Sequence, residues 1–235
     1  MKNAIKAWAL AILACVSIAA PCLAQGAEIP DDVKQSIRTR VDGGKNVGIV
    51  VGIIDSSGPR YYGYGKVSQS SGRVPDEHSV FEIGSITKVF TSILLADMVL
   101  RNELGLDDPI ERYLPDEVKV PSRKDQLITL AHLATHTSGL PPMPDDFTLA
   151  NNVDYPVEQM YEFLSHHTLR RDIGAEYEYS TYGVGLLAHI LALRSAMSYE
   201  ELVRRRIGDV IGLEDTRITL TPAMQRRLAK GHFLG

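Results

Sequence analysis

The apolar pattern of this chain changes character near residue 85. Before it stand short runs with strand character; after it, helical spacing dominates. Val47-Gly48-Ile49-Val50-Val51-Gly52-Ile53-Ile54 is a continuous apolar run rich in β-branched residues, which predicts a buried strand. Asp55-Ser56-Ser57-Gly58-Pro59 is a turn cluster, and Arg60 to Val67 reads as a second strand. The pair is therefore expected as an antiparallel hairpin. Ser68 to His78 reads as polar loop. From Ser85 the apolar residues Ile86, Val89, Phe90, Ile93, Leu94, Leu95, Val99 and Leu100 predict a helix over 85–101. It is apolar nearly all round, which predicts a central, buried helix.

Shorter helices are expected around it. Asp31 to Val41 reads as one, Leu106-Asp107-Asp108-Pro109 starts another, and Thr129 to His136 forms a third, stopped by Ser138-Gly139-Leu140-Pro141. Met143 to Val153 reads as loop. Pro156 to Leu169 is amphipathic, Tyr182 to Ala196 is rich in small and apolar residues, and Ser198-Tyr199-Glu200-Glu201 is a capping box. Arg204-Arg205-Arg206 reads as a solvated face rather than a nucleic-acid patch. Two strands and a long helical block predict an α/β (α+β) chain, an antiparallel sheet beside a large helical part.

Residues 1–24 read as a targeting segment. Lys2 and Lys6 make a positive start, Ala7 to Ala20 is apolar but short for a membrane span, and Cys22-Leu23-Ala24 suits a signal peptidase. A periplasmic or secreted protein is expected, with one domain over 25–235. Both cysteines, Cys15 and Cys22, lie in the leader, so the mature chain needs no disulfide. Cleavage removes two lysines and no acids, leaving 23 basic against 29 acidic residues, a net charge of −6. That charge argues against nucleic acid and against an anionic membrane surface as partners, and no stable membrane insertion is expected after cleavage.

Ser85-Ile86-Thr87-Lys88 is the candidate chemistry. At a helix start, a serine and a lysine three residues on share a face. The helix N-terminus favours negative charge developing on the serine oxygen, beside a proton acceptor. The motif alone is weak, because about one S-x-x-K is expected by chance in a chain this long. The plain alternative is a serine capping a buried helix and a lysine reaching solvent. His132 and His136 are four apart on one expected helix, as zinc ligands can be, but no Glu occupies the metalloprotease position and no third ligand is evident. His136 is expected to shape the turn at Ser138-Gly139, and His166-His167 to lie at the surface. There is no Gly-rich phosphate loop and no G-x-S-x-G elbow. No metal or cofactor is expected.

Ordered blocks turn the weak motif into a resemblance. Phe81-Glu82-Ile83-Gly84-Ser85-Ile86-Thr87-Lys88, Leu106-Asp107-Asp108-Pro109-Ile110 with Tyr113-Leu114-Pro115, Ile128-Thr129-Leu130 through His136-Thr137-Ser138-Gly139-Leu140-Pro141, Tyr179-Ser180-Thr181-Tyr182-Gly183, and Ile211-Gly212-Leu213-Glu214-Asp215-Thr216 stand in order over roughly residues 45–217. Together the chain resembles the serine β-lactamase and penicillin-binding protein superfamily, in its class C-like branch of DD-peptidases and esterases. The resemblance implies a β-lactamase/transpeptidase-like fold. It implies Ser85 as nucleophile, with Lys88 and Tyr179 moving protons and either able to serve as base. It also implies substrates among β-lactams, D-Ala-D-Ala peptides and small esters. The plain alternative for Tyr179 is a packed aromatic beside Tyr177 and Tyr182.

Two departures qualify what is implied. The family's second block is usually Tyr-x-Asn, and Thr181 stands where Asn would be, at the substrate-binding position. A Thr hydroxyl is shorter than an amide and offers less. The family's third block lies on a later strand, and the 54 residues beyond Thr181 contain none. The expected chain is a truncated family member without its C-terminal strands. It acts as a serine hydrolase, as a DD-peptidase or esterase without β-lactamase activity, or as a non-catalytic fragment.

Overall fold

The computed structural model describes residues 28–145, 147 and 155–232. The leader, with Cys15 and Cys22, and most of the loop expected over 143–153 lie outside the described residues. The chain divides into two compact units, one ending at Phe81 and resuming at Leu228, the other spanning Glu82–Arg227.

The first unit is a helix on a hairpin. Helix α1 (Asp31–Asp42) buries Ile37, and strands β1 (Gly48–Asp55) and β2 (Gly58–Gly65) pair antiparallel with Gly48 opposite Gly65 and Asp55 opposite Gly58. The ladder runs deeper into the expected turn than the sequence suggests. Asp55 Oδ1 accepts from the Ser57 amide at 2.8 Å, Asp55 Oδ2 takes the Arg60 guanidinium at 2.5 Å, and Gly58 adopts φ +97°. A two-residue turn then suffices. Arg38 donates to the Tyr62 hydroxyl and Tyr64 to Asp42, each at 3.0 Å, tying α1 to β2. Gly63 permits a close backbone crossing, since a Cβ there would meet the Pro75 carbonyl oxygen at 1.7 Å. Ala229 N–H donates to the Val80 carbonyl and Lys230 N–H to that of Val67, both at 2.8 Å, returning the later segment to this unit. The expectation of a buried first strand is corrected. No residue of β1 is fully buried, and Ile54 is 80% exposed. Among the described residues the sheet has two strands, and two strands cannot seal both faces.

The second unit is helical and holds a contiguous apolar core. Helix α2 (Thr87–Leu100) contributes Leu94, Leu95 and Met98. Two short helices, α3 (Leu130–Ala134) and α4 (Val157–His166), supply Leu130, Leu133 and Leu164. Helix α5 (Thr181–Ser195) supplies Tyr182, Leu186, Leu187, Ile190 and Leu191, and packs against α2, α3 and α6 (Tyr199–Val203). Apolar area removed from water stabilises this arrangement at roughly 25 cal/mol per Å². Helix α5 is capped by Ser180, whose Oγ accepts from the Gly183 amide at 2.8 Å, and it ends on Ala196 in a left-handed conformation. Ser198 caps α6, which continues through a π turn at Arg204–Gly208 into α7 (Asp209–Ile211); a final helix, α8 (Pro222–Arg227), buries Met224.

Several expectations in this unit need correction. Helix α2 is not buried all round: Val89, Ile93 and Leu100, with Ile86 just before the helix, are 55%, 46%, 83% and 59% exposed, and mark one open face. No helix starts at Leu106. Asp108 accepts from the Gly105 amide at 2.6 Å and the Tyr113 hydroxyl at 2.5 Å, folding the block into a loop before a 3₁₀ turn at Ile110–Tyr113. The basic run is not uniformly solvated, because Arg206 pairs with Asp97 at 2.9 Å and Glu103 at 3.0 Å. Among the described residues, no helix is long and apolar enough to cross a membrane.

Candidate active site

A glycine sets the approach to Ser85. Gly84 adopts φ +52°, where a residue with a Cβ is strained, and it opens the 3₁₀ turn Gly84–Ile86 that runs directly into α2. Ser85 is thereby exposed at the helix start, and Lys88 lies one turn on, half-buried. Lys88 Nζ donates to Ser85 Oγ at 3.2 Å. The expected pairing along one helix face is thus present.

Tyr179 comes from the other side of this unit, on the segment leading into α5. Thr181 N–H and Tyr182 N–H both donate to the Pro142 carbonyl, at 3.0 and 3.2 Å, and Ser180 Oγ donates to the Pro141 carbonyl at 2.6 Å. The Pro141-Pro142 pair, at the end of the Ser138-Gly139-Leu140-Pro141 turn, therefore forms the rest on which the segment lies. Tyr179 is 41% exposed, and its hydroxyl donates to Ser85 Oγ at 2.6 Å. Lys88 Nζ stands 4.9 Å from the centre of the Tyr179 ring. The side-chain interaction with Lys88, then that with Ser85, draws the Tyr179 phenol below its ordinary value, against the opposing effect of burial. Its neighbours are different. Tyr177 is exposed, whereas Tyr182 is buried and donates to the Met160 carbonyl. Thr181 is exposed at the first position of α5, and its hydroxyl adds a last, lesser contribution to the lowered pKa of Tyr179.

The arrangement can generate and hold a serine oxyanion. Ser85 Oγ lies against two groups that can donate to it, one a cation and the other a phenol of raised acidity. Four residues of the sequence-based site, Ser85, Lys88, Tyr179 and Thr181, are brought to one place.

The histidine pair is separated. Helix α3 ends at Ala134, and His136 takes a left-handed conformation, φ +60°. His132 turns Nδ1 to the Thr129 amide at 3.1 Å as part of the α3 cap. His136 turns instead to Ser180 and Tyr179. Among the described residues, no group of three or more His, Cys, Asp or Glu could hold a metal. Sequence spacing gave no sign that His136 belongs beside Tyr179, because its hydrogen bond to the adjoining Ser180 crosses 44 residues.

The beta-lactamase family profile matches residues 33–233. The chain belongs to the beta-lactamase family. It is 30% identical over 224 residues to the D-alanyl-D-alanine-carboxypeptidase/endopeptidase AmpH of Escherichia coli K12, covering 93% of this chain and 58% of that protein. It is 28% identical over 223 residues to a beta-lactamase of the same organism, covering 94% of this chain and 55% of that one. Among solved structures, a beta-lactamase/D-alanine carboxypeptidase from Yersinia pestis superposes with a TM-score of 0.77 at 28% identity, over 85% of this chain and 58% of that one. A class C beta-lactamase from Rhodobacter sphaeroides superposes with a TM-score of 0.72 at 27% identity, over 86% and 55%. The fold is accordingly β-lactamase/transpeptidase-like, as the resemblance implied, and the chain spans a little over half the length of these relatives.

Proposed function

We propose that this family member is an exported serine hydrolase that forms an acyl-enzyme on Ser85, with Tyr179 as the base. The observation that carries this is Ser85 Oγ held at 2.6 Å by the Tyr179 hydroxyl and at 3.2 Å by Lys88 Nζ. Tyr179 is the closer group, and its lowered pKa makes the phenolate more accessible. The Ser85 proton passes to that phenolate as Oγ bonds to a carbonyl carbon. The phenol then returns the proton to the departing nitrogen or oxygen as the acyl bond breaks. Water adds to the acyl carbon and releases the acid and the free serine. Lys88 supplies positive charge beside the phenolate, and the start of α2 favours negative charge at Ser85 Oγ.

The substrate reading follows from the relatives' names: D-Ala-D-Ala peptides and β-lactams, with small esters as the simplest acyl donors. The segment 1–24 supports export to the periplasm or medium. A second reading is favoured by Thr181. With a short hydroxyl in place of an amide, the chain takes up an acyl group or ligand without efficient turnover.

The test is the intact mass of the protein after incubation with a penicillin, beside Ser85→Ala. A stoichiometric adduct on the wild type alone supports the acyl-enzyme, and its decay rate separates hydrolysis from a long-lived acyl state. No adduct on folded protein sinks the catalytic reading.

A further inference from the structure

His136 grips the segment that carries Tyr179 at three successive points. Its carbonyl accepts from the Glu178 amide at 2.9 Å. Its ring lies against the Tyr179 ring, with centroids 4.7 Å apart and planes tilted by 36°. Its Nδ1 accepts from the Ser180 amide at 3.0 Å. The residues on either side of Tyr179 are therefore hydrogen-bonded to the same histidine whose ring meets the phenol. The left-handed backbone at His136 makes this reach available, since a helical continuation would have carried the ring along the face that His132 occupies.

The chemistry of the contact is specific. Nδ1 can accept from Ser180 only when it carries no proton, so the neutral ring holds its hydrogen on Nε2. Burial, then the charge of Lys88, lowers the His136 pKa and keeps the ring in that form. Tyr179 is 41% exposed, and an exposed tyrosine has two free rotations that packing must restrain.

We propose that His136 is the positioning residue for Tyr179, holding the phenol against Ser85 by fastening the chain on both sides of it. The inference rests on the reading of Tyr179 as the base of acylation. A misplacement of about 1 Å costs roughly 10²-fold in rate, so fastening of this kind matters even for a residue that never touches substrate.

Three variants test it. His136→Gly and His136→Ala remove the ring and Nδ1, and two such variants guard against a folding failure in either. His136→Asn retains an acceptor oxygen near the Nδ1 position and tolerates the left-handed backbone. Each is checked for folding by thermal melt, crystallised, and timed for acylation by a penicillin. The deletion variants are expected to lengthen the Tyr179 Oη to Ser85 Oγ separation beyond hydrogen-bond distance and to lower the acylation rate by roughly 10²-fold. His136→Asn is expected to restore the separation and most of the rate, which a generic loss of packing would not do. A folded deletion variant with the wild-type separation and wild-type rate overturns the proposal, and so does an Asn variant no better than Gly and Ala. Should the wild type form no adduct at all, the reading of Tyr179 as base falls. The crystallographic separation in the deletion variants still decides the part assigned to His136.

Discussion

The Tyr179 hydroxyl meets Ser85 Oγ at 2.6 Å across 94 residues of chain. The two arrive by different routes, one on the 3₁₀ turn that opens α2 and the other on the segment that feeds α5. Packing of α2 against α5 in one apolar core brings these two helix starts together.

Replacing Tyr179 with Phe keeps the ring and removes the hydroxyl. The rate of adduct formation with a penicillin is expected to fall by about 10²–10⁴-fold, the usual span for a lost general base. A rate within a few-fold of wild type would remove Tyr179 from the chemistry and leave Lys88 as the base.

The acidity of Tyr179 gives acylation a pH dependence. The phenolate is the accepting form, and its pKa lies below the ordinary value of 10.0, with the Lys88 hydrogen bond as the largest cause. Acylation is therefore expected to rise as the pH climbs through the lowered value, and to do so below pH 10. A stopped-flow profile shows the limb in wild type. Its persistence in Tyr179→Phe would assign it to another group.

Asp108 should govern part of the acid stability. The Tyr113 hydroxyl first, then the Gly105 amide, hold its carboxyl below the ordinary 3.8. A depressed carboxylate stabilises the fold at neutral pH, and that contribution disappears as the pH falls through the lowered value. Asp108→Asn is expected to melt less steeply with acid than wild type, though lower at neutral pH. Parallel acid limbs in thermal melts would contradict this.

Leu187 is fully buried in the helical core, whereas Ile93 is 46% exposed on the open face of α2. Leu187→Ala is expected to cost about 2–5 kcal/mol in urea unfolding, through lost transfer energy and the cavity left behind. Ile93→Lys is expected to cost under about 0.5 kcal/mol and to reduce binding of an apolar-surface dye. A multi-kcal/mol loss at Ile93 would mean that this face is covered in solution.

Local features carried over well from sequence to structure. The hairpin, α1, α4 and α5 lie within a few residues of their expected places, because each rests on a period or a turn cluster that neighbours decide. Apart from the helix expected at Leu106, which the local bonds of Asp108 replaced by a loop, the expectations that failed depended on distant partners. Helix α2 was expected to be covered on all sides, yet the apolarity of Ile86, Val89 and Ile93 says nothing about which elements reach them. The helix expected to run through His136 stops at Ala134, where the chain turns to meet Ser180. Arg206 left the solvated face because Asp97 and Glu103, far away in sequence, supply it with two carboxylates.

By itself the sequence determined that Ser85 and Lys88 share a face one turn apart, since helical spacing alone puts residues three apart together. It also determined the family, through the order of its blocks. Only the tertiary structure decided that Tyr179 points its hydroxyl at Ser85 while Tyr177 and Tyr182 do not, and that His136 rather than His132 supports it. Those choices depend on the backbone path at Gly84, His136 and Ser180 and on the packing of α2 against α5, and contacts across 44 and 94 residues leave no period in the chain to read.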